Sequence, residues 1–177
     1  MRRLRLAAVC LTVLALAASG CKRRKPHTQA AAETGDVGLR STLAMNDPRG
    51  GLQLIKGFHQ IEAGGWRWTA GQFSVNLKTP PNAGQNGAQL VFALSAPAPV
   101  IDKFKSITLS AKINGLALPP ETYSKAGDYQ YVRDVPAYAL RQDTVQADFS
   151  LDKYFPAGEL EARELGVIAK SIGLVSK

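Results

Sequence analysis

The stretch that decides the fold runs from residue 57 to 69: Gly57-Phe58-His59-Gln60-Ile61-Glu62-Ala63-Gly64-Gly65-Trp66-Arg67-Trp68-Thr69. It contains both tryptophans of the chain and one of its two histidines. Trp66 and Trp68 are two residues apart, so an extended backbone turns both rings to one face and Arg67 to the other. The stretch is therefore either the first firm strand of a β-domain or an aromatic platform for a ligand.

Apolar and polar residues alternate along most of the chain beyond this stretch, which is typical of half-buried β-strands. The alternation predicts strands near 72–77, 90–94, 107–113, 116–118, 129–133, 145–151 and 165–175, with weaker candidates at 39–46 and 52–55. A single helix of one or two turns is predicted at 157–164. Many short strands without alternating helices predict an all-β protein, an antiparallel β-sandwich with short helices at most.

Turn-forming residues divide the predicted strands. Asn114-Gly115 predicts a tight hairpin, because both residues tolerate a positive φ. Pro119-Pro120 is expected to end the strand after that hairpin, since proline cannot donate to a β-ladder. Pro97 and Pro99 are expected to close an earlier strand in the same way.

The first 20 residues have the pattern of a signal peptide. Arg2, Arg3 and Arg5 precede a mostly apolar run at 6–18, which is shorter than the roughly 20 residues that span a bilayer. Small residues at 18–20 then lead to Cys21. We therefore expect an exported protein that is cleaved just before this cysteine.

The residues before Cys21 resemble the lipobox of bacterial lipoproteins, in which the cysteine thiol is lipidated and becomes the new N-terminus. Ala18 stands where that family usually has leucine. The resemblance implies lipidation of Cys21. The alternative is cleavage of the same bond by an ordinary signal peptidase, which would give a soluble secreted protein with a free thiol.

A basic tether is predicted after the cysteine. Lys22-Arg23-Arg24-Lys25 would attract the anionic head groups of a membrane surface. The segment 21–38 contains almost no bulky apolar residue, so we expect it to be flexible and the β-sandwich domain to occupy 39–177, with its core at about 52–175.

The net charge of +8 belongs mainly to these first residues. From Pro26 onward the chain has 15 basic and 14 acidic residues, so the domain is nearly neutral. Its charge does not indicate nucleic-acid binding.

Several motifs, taken in order, resemble a small β-sandwich module attached to bacterial glycosyltransferases and other surface-glycan enzymes. They are Gly57-Phe58 with Glu62, then Arg67-Trp68-Thr69, the Asn114-Gly115 hairpin, and Arg163-Glu164-Leu165-Gly166-Val167. The resemblance spans about residues 57–174 and implies a jelly-roll or galactose-binding-like fold. It also implies contact with sugars or glycan polymers, and it carries over no catalytic residue.

The candidate ligand-binding residues form two groups, a tryptophan-rich stretch and an alternating strand: His59, Glu62, Trp66 and Arg67 in the first, and Tyr129, Tyr131 and Arg133 in the second. Aromatic rings can stack on sugars, while the polar side chains can hydrogen-bond their hydroxyls. Structural roles are the alternative: tryptophans of the core, a Glu62–Arg67 ion pair, and tyrosines packed across strands.

The sequence offers little for catalysis. Neither histidine has a second histidine or a cysteine at metal-ligand spacing, so no metal and no cofactor is expected. The sequence has no nucleophile elbow and no phosphate-binding loop. A carboxylate pair, Glu62 with Glu121 or Asp134, is the best candidate for glycoside hydrolysis.

Together these observations predict a non-catalytic cell-envelope lipoprotein that binds a carbohydrate or an envelope polymer through an exposed aromatic face. The alternatives are, second, a protein-interaction module of an envelope assembly and, third, a glycan hydrolase. The expected partners are the membrane, through the lipid, and a glycan or an envelope protein. Lys22 is not the aspartate that retains some lipoproteins in the inner membrane, which favours the outer membrane where the cell has one.

Overall fold

The computed structural model of the protein describes residues 38–177. The predicted signal peptide (1–20), the lipidation site Cys21, the basic cluster Lys22-Arg23-Arg24-Lys25 and the tether up to residue 37 lie outside the described residues. Within 38–177, the helices are all too short or too polar to cross a membrane.

β-Strands make up about half of the described part, and their pairings are antiparallel. The strands are β1 (Thr42–Ala44), β2 (Leu54–Phe58), β3 (Arg67–Lys78), β4 (Ala88–Ala96), β5 (Ile107–Ile113), β6 (Leu116–Tyr123), β7 (Gly127–Val135), β8 (Thr144–Leu151) and β9 (Ile168–Ser176). The helices are α1 (Ala83–Asn86) and α2 (Ala98–Phe104), with 3₁₀ helices at Pro48–Gln53 and Ala137–Leu140. The predicted all-β class with short helices is confirmed.

The strands form two sheets that pack face to face. The first sheet has the order β1–β9–β4–β7, and the second has the order β2–β3–β8–β5–β6. From β4 onward, strands β4, β7 and β9 belong to the first sheet, and strands β5, β6 and β8 belong to the second. This is jelly-roll connectivity, and the buried side chains of both inner faces form one core.

The strand β3 joins the two sheets. Its first residues, Arg67 and Trp68, pair with β9, whereas residues 72–78 pair with β8. The strand β2 crosses the bend between these parts, where Gly57 has a φ of 74°. A Cβ atom on Gly57 would lie 2.0 Å from the carbonyl oxygen of Gln72. Both the backbone angle and the close approach therefore require glycine.

An aromatic cluster occupies the centre of the core. The ring of Phe73 stacks on that of Phe149, with centroids 4.9 Å apart and planes 9° apart. Phe58 and Phe92 meet Phe73 edge-on at centroid distances of 5.3 and 5.8 Å. These four rings come from β2, β3, β4 and β8, so the cluster ties the two sheets together.

The predicted helix at 157–164 is wrong, because this segment is a series of turns with Gly158 at a φ of 88°. Helical residues occur instead at α2, where prolines were expected only to close a strand. Pro99 lies in the first turn of α2, where its missing N–H costs nothing. Val100 and Ile101 are buried and hold the helix against the core.

The expected strand end at Pro119-Pro120 is also wrong, because β6 runs through both prolines. This strand lies at the edge of the second sheet, and its ladder with β5 shifts register between Leu118 and Glu121. Proline is tolerated at edges and bulges, where its missing N–H leaves no ladder bond unmade. The last predicted strand begins later than expected, at Ile168.

Candidate functional site

The tryptophan-rich stretch folds against the segment 163–167. The backbone N–H of Thr69 donates to the carbonyl oxygen of Val167 at 2.9 Å, and that of Gly166 donates to Thr69 at 2.7 Å. The N–H of Val167 donates to Oγ1 of Thr69 at 3.1 Å. A Cβ atom on Gly166 would lie 2.5 Å from Cδ1 of Leu151. The two sequence motifs thus form one structural unit, and Thr69 and Gly166 serve the fold.

Trp66 and Trp68 share a face, as their spacing predicts. Their rings meet edge to face, with centroids 5.9 Å apart and planes 79° apart. Both are half-buried; Trp68 packs on the core, and the indole of Trp66 lies against Gly64. The pair therefore does not offer two coplanar ring faces on which a sugar chain could lie.

Arg67 is buried and has no carboxylate partner among the described residues. Its Nε donates to the carbonyl oxygen of Met45 at 3.1 Å, and a terminal nitrogen donates to that of His59 at 2.8 Å. Burial lowers the pKa of this guanidinium. The hypothesis of a Glu62–Arg67 ion pair is wrong; Arg67 instead satisfies two loop carbonyls.

Glu62 pairs with Arg163, at 3.0 Å between Oε1 and a terminal nitrogen. Arg163 also binds Glu161, and the hydrogen bonds that Arg163 donates to Glu161 and, less strongly, to Glu62 raise the pKa of Arg163. The same contact with Arg163 lowers the pKa of Glu161. Nε2 of His59 lies 2.6 Å from the carbonyl oxygen of Glu164. The polar groups predicted for a ligand are thus used to fasten the stretch to the 161–164 turn.

The second predicted group faces the interior. Tyr131 is fully buried, its hydroxyl donates to a carbonyl of β6 at 2.8 Å, and burial raises its pKa. Arg133 lies 4.2 Å from the Tyr131 ring centroid and pairs with Glu121 at 2.8 Å. Tyr129 is half-buried against Tyr123, with centroids 4.6 Å apart. These residues join the edge strands β6 and β7, and Tyr131 offers no ring face to a ligand.

Three loops meet at one end of the sandwich, and two adjoining cavities of about 590 and 400 Å³ lie among them. The loops connect β3 to β4, β5 to β6 and β7 to β8. Arg141 and Gln142 line both cavities, which therefore adjoin; we call the two cavities together the loop-end cleft. Other residues that line this loop-end cleft are Lys78, Gln85, Asn114, Leu116, Tyr138 and Asp143.

Tyr138 lines the smaller cavity with 62% of its surface exposed. Among residues 38–177 it is the most exposed aromatic side chain. The turn that carries it is held by the buried side chain of Leu140 and by a hydrogen bond of 3.0 Å from the backbone N–H of Ala139 to the carbonyl oxygen of Pro136. An exposed ring on a fixed turn loses little freedom when it binds, so Tyr138 is suited to contact a ligand.

Asn114, Arg141 and Gln142 are the polar residues that line the same cavity as Tyr138. Hydrogen bonds from Thr79 to the carbonyls of Gln142 (2.5 Å) and Asp143 (2.8 Å) hold the loop. The side chains of Arg141 and Gln142 make no hydrogen bond or ion pair within the described part of the chain, and so can hydrogen-bond a ligand. Asp143 is the single acidic residue that lines the loop-end cleft.

Sequence reasoning missed this site for a physical reason. Tyr138 lies in Pro136-Ala137-Tyr138-Ala139-Leu140, outside any alternating pattern. The one local feature that could have indicated this site is an aromatic residue in a turn that begins with proline and lies between two strands. What makes it a candidate is the meeting of the β5–β6 and β7–β8 loops, which are more than 20 residues apart in the chain, and local patterns do not report such meetings.

The described residues 38–177 contain no group of three His, Cys, Asp or Glu side chains arranged to hold a metal ion. No protein-family model matches the chain, and no curated protein matches it.

Among solved structures, the chain is similar to dimeric latent PorU from Porphyromonas gingivalis, with 10% identity and a TM-score of 0.46 over 78% of this chain and 12% of that one. It is similar to the CBM36-1 domain of a multidomain xylanase from the hindgut metagenome of Trinervitermes trinervoides, with 10% identity and a TM-score of 0.36 over 79% and 89% of the two chains. It is also similar to the CBM51-2 and INT domains of Clostridium perfringens ZmpB, with 12% identity and a TM-score of 0.35 over 77% of this chain and 29% of that one. Likeness at this level does not identify a ligand or an activity.

Proposed function

We propose that this chain is a non-catalytic lipoprotein of the cell envelope, and that its β-sandwich binds a carbohydrate or an envelope polymer in the loop-end cleft. The observation that carries the proposal is Tyr138, which stands 62% exposed on a fixed turn beside a cavity of about 400 Å³.

The chemistry of the loop-end cleft matches that of a saccharide. A sugar ring has flat faces of C–H groups, which can lie on the Tyr138 ring, and a rim of hydroxyls, which Arg141 and Gln142 can bind. The lining carries one carboxylate, Asp143, whereas glycoside hydrolysis ordinarily uses a pair. Binding without cleavage is therefore the function that these residues support best.

Replacing Tyr138 by alanine is expected to weaken saccharide binding at least about fivefold, because the stacking face is lost. The variant Tyr138→Phe keeps the ring and is expected to bind nearly as well as the natural chain. Full-length protein in detergent micelles would be titrated with dextran, mannan and purified peptidoglycan fragments by isothermal calorimetry.

Trp66→Ala is the matched comparison, since Trp66 belongs to the other aromatic group. If Trp66→Ala abolishes binding and Tyr138→Ala leaves it intact, the ligand lies on the tryptophan-rich stretch and the loop-end cleft is excluded. If none of the probes binds the natural chain, the proposed function is contradicted.

The proposed anchor depends on Cys21 and is tested separately. The variant Cys21→Ser is expected to release the protein from the membrane fraction, because a serine cannot receive the thioether lipid. Fractionation of cells followed by metabolic labelling with a fatty-acid analogue gives two readouts. If the Cys21→Ser protein carries no fatty-acid label but stays in the membrane fraction as fully as the natural chain does, lipid at Cys21 is not the anchor.

A further inference from the structure

The outer face of the second sheet carries a polar groove of about 310 Å³, which shares no lining residue with the loop-end cleft. It crosses the four strands β2, β3, β8 and β5. One row of paired residues runs directly across it: Lys56 pairs with Ser74, Ser74 with Asp148, and Asp148 with Lys112. Three inter-strand steps place the Cα atoms of the two lysines about 14 Å apart, with the carboxylate between them.

The central carboxylate is held in place. Oδ1 of Asp148 accepts a hydrogen bond from the hydroxyl of Ser74 at 2.6 Å and another from Nε2 of Gln146 at 2.7 Å. Ser74 is fully buried although it lies on the outer face. No hydrogen bond within the described residues uses Oδ2 of Asp148. That oxygen is therefore positioned to accept from a hydroxyl group of a ligand.

The two flanking lysines share one carboxylate, that of Asp148, so the three side chains together keep a net positive charge. Lys56 and Lys112 form no ion pair within residues 38–177, whereas Lys103, Lys170 and Lys177 each do. Lys112 has no ion pair even though its direct cross-strand neighbour is Asp148. Both ammonium groups can therefore bind an anion from outside.

A second polar row borders the charged one. Gln72 pairs with Ser150, and Ser150 with Ser110, on the same face. Their hydroxyl and amide groups can both donate and accept hydrogen bonds, as the hydroxyls of a sugar require. The groove therefore combines hydrogen-bonding capacity along its length with two positive charges at its sides.

We propose that this groove is a second binding site, and that it takes an acidic saccharide whose carboxylates lie on the two lysines and whose hydroxyl donates to Asp148. The order of charges across the groove is positive, negative, positive. A ligand that carries only anions, without hydroxyl donors, meets repulsion from Asp148 at the centre. A neutral sugar leaves both lysines unused. A polymer of uronic acids supplies both kinds of group.

The probe is polygalacturonate, titrated into the full-length protein in detergent micelles at low salt. Lys56→Gln and Lys112→Gln are each expected to weaken its binding at least about fivefold, because each removes a charge-assisted hydrogen bond. Lys125→Gln is the matched control, since Lys125 is an exposed lysine outside the groove, and it is expected to leave binding unchanged.

Two further probes test the chemical class. Dextran, which is neutral, and polyphosphate, which has no hydroxyl donors, are both expected to bind the Tyr138→Ala protein, whose loop-end cleft lacks its ring, at least about tenfold more weakly than polygalacturonate does. Asp148→Asn is expected to bring the affinity for polyphosphate closer to that for polygalacturonate. The substitution removes the central negative charge but keeps an oxygen that can accept the hydrogen bonds from Ser74 and Gln146.

Several results would overturn the proposal: no binding of polygalacturonate, unchanged binding in both lysine variants, or equal binding of polyphosphate by the natural chain. The variant Tyr138→Ala separates this site from the loop-end cleft, because it is expected to leave polygalacturonate binding unchanged. Loss of that binding in Tyr138→Ala would place the acidic saccharide in the cleft and exclude the groove.

Discussion

Replacing Phe73 by alanine is expected to lower the free energy of unfolding by about 3–5 kcal/mol, the cost of a large cavity in a packed core. Phe73 is fully buried and contacts Phe58, Phe92 and Phe149, so its removal affects rings from both sheets. The cavity would lie where the sheets are held together, and strands on both sides would have to move inward to close it.

Urea unfolding followed by tryptophan fluorescence would measure this loss, since Trp66 and Trp68 report on the folded corner near the start of β3. If Phe73→Ala does not fold, Phe73→Leu is the second variant, with an expected loss of about 1–1.5 kcal/mol. Tyr138→Ala is the control for removing an exposed ring, and we expect it to change stability by less than about 0.5 kcal/mol. A loss below about 1 kcal/mol for Phe73→Ala would mean that the cluster does not hold the sheets together.

Replacing Gly57 by alanine is expected to cost about 2–4 kcal/mol, through two effects that add. The backbone at Gly57 has a φ of 74°, which strains any residue with a side chain. The new Cβ would also lie 2.0 Å from the Gln72 carbonyl oxygen and 2.7 Å from Cα of Phe73. Backbone atoms cannot rotate out of the way, so β2 would have to separate from the bend of β3.

Gly51→Ala is the matched control, because a Cβ on Gly51 meets nothing within 4 Å and its φ is not positive. It is expected to leave the urea midpoint nearly unchanged. Hydrogen exchange of the β2 and β3 amides would then show whether the loss in Gly57→Ala is local to the bend. Equal stability of the Gly57 and Gly51 variants would contradict a required crossing of β2 over β3 at this point.

The fold class could be predicted because it depends on local patterns. Alternation at 72–77 and 107–113 marks strands whatever they pair with, and Asn114-Gly115 forms its hairpin through the φ preferences of two residues. The errors have non-local causes. Pro119 and Pro120 are tolerated inside β6 only because that strand became an edge with a bulge, and edge position is decided by the arrangement of all the strands.

The candidate site residues show the same division. The spacing of Trp66 and Trp68 was enough to place both rings on one face, but the 79° between their planes depends on the packing of Gly64 and the core. Tyr129, Tyr131 and Arg133 do share a face of β7, and alternation cannot tell the inner face of a strand from its outer face when a tyrosine lies on it. The charge of Arg133 alone would have placed its side chain on the outer face of β7, whereas it lies on the same face as Tyr131 and pairs with Glu121.

The sequence by itself determined that this chain forms a β-sandwich, where most of its strands lie, and that its basic charge is concentrated before the domain, because each of these follows from the order and composition of neighbouring residues. Only the tertiary structure decided which side chains meet. It used the polar groups of the Gly57–Thr69 stretch for internal bonds, it brought the β5–β6 loop to the turn that carries Tyr138, and it aligned Lys56, Ser74, Asp148 and Lys112 across four strands. These contacts join residues that are far apart in the chain. They form only when the strands have paired across the whole sandwich, so local sequence patterns do not determine them.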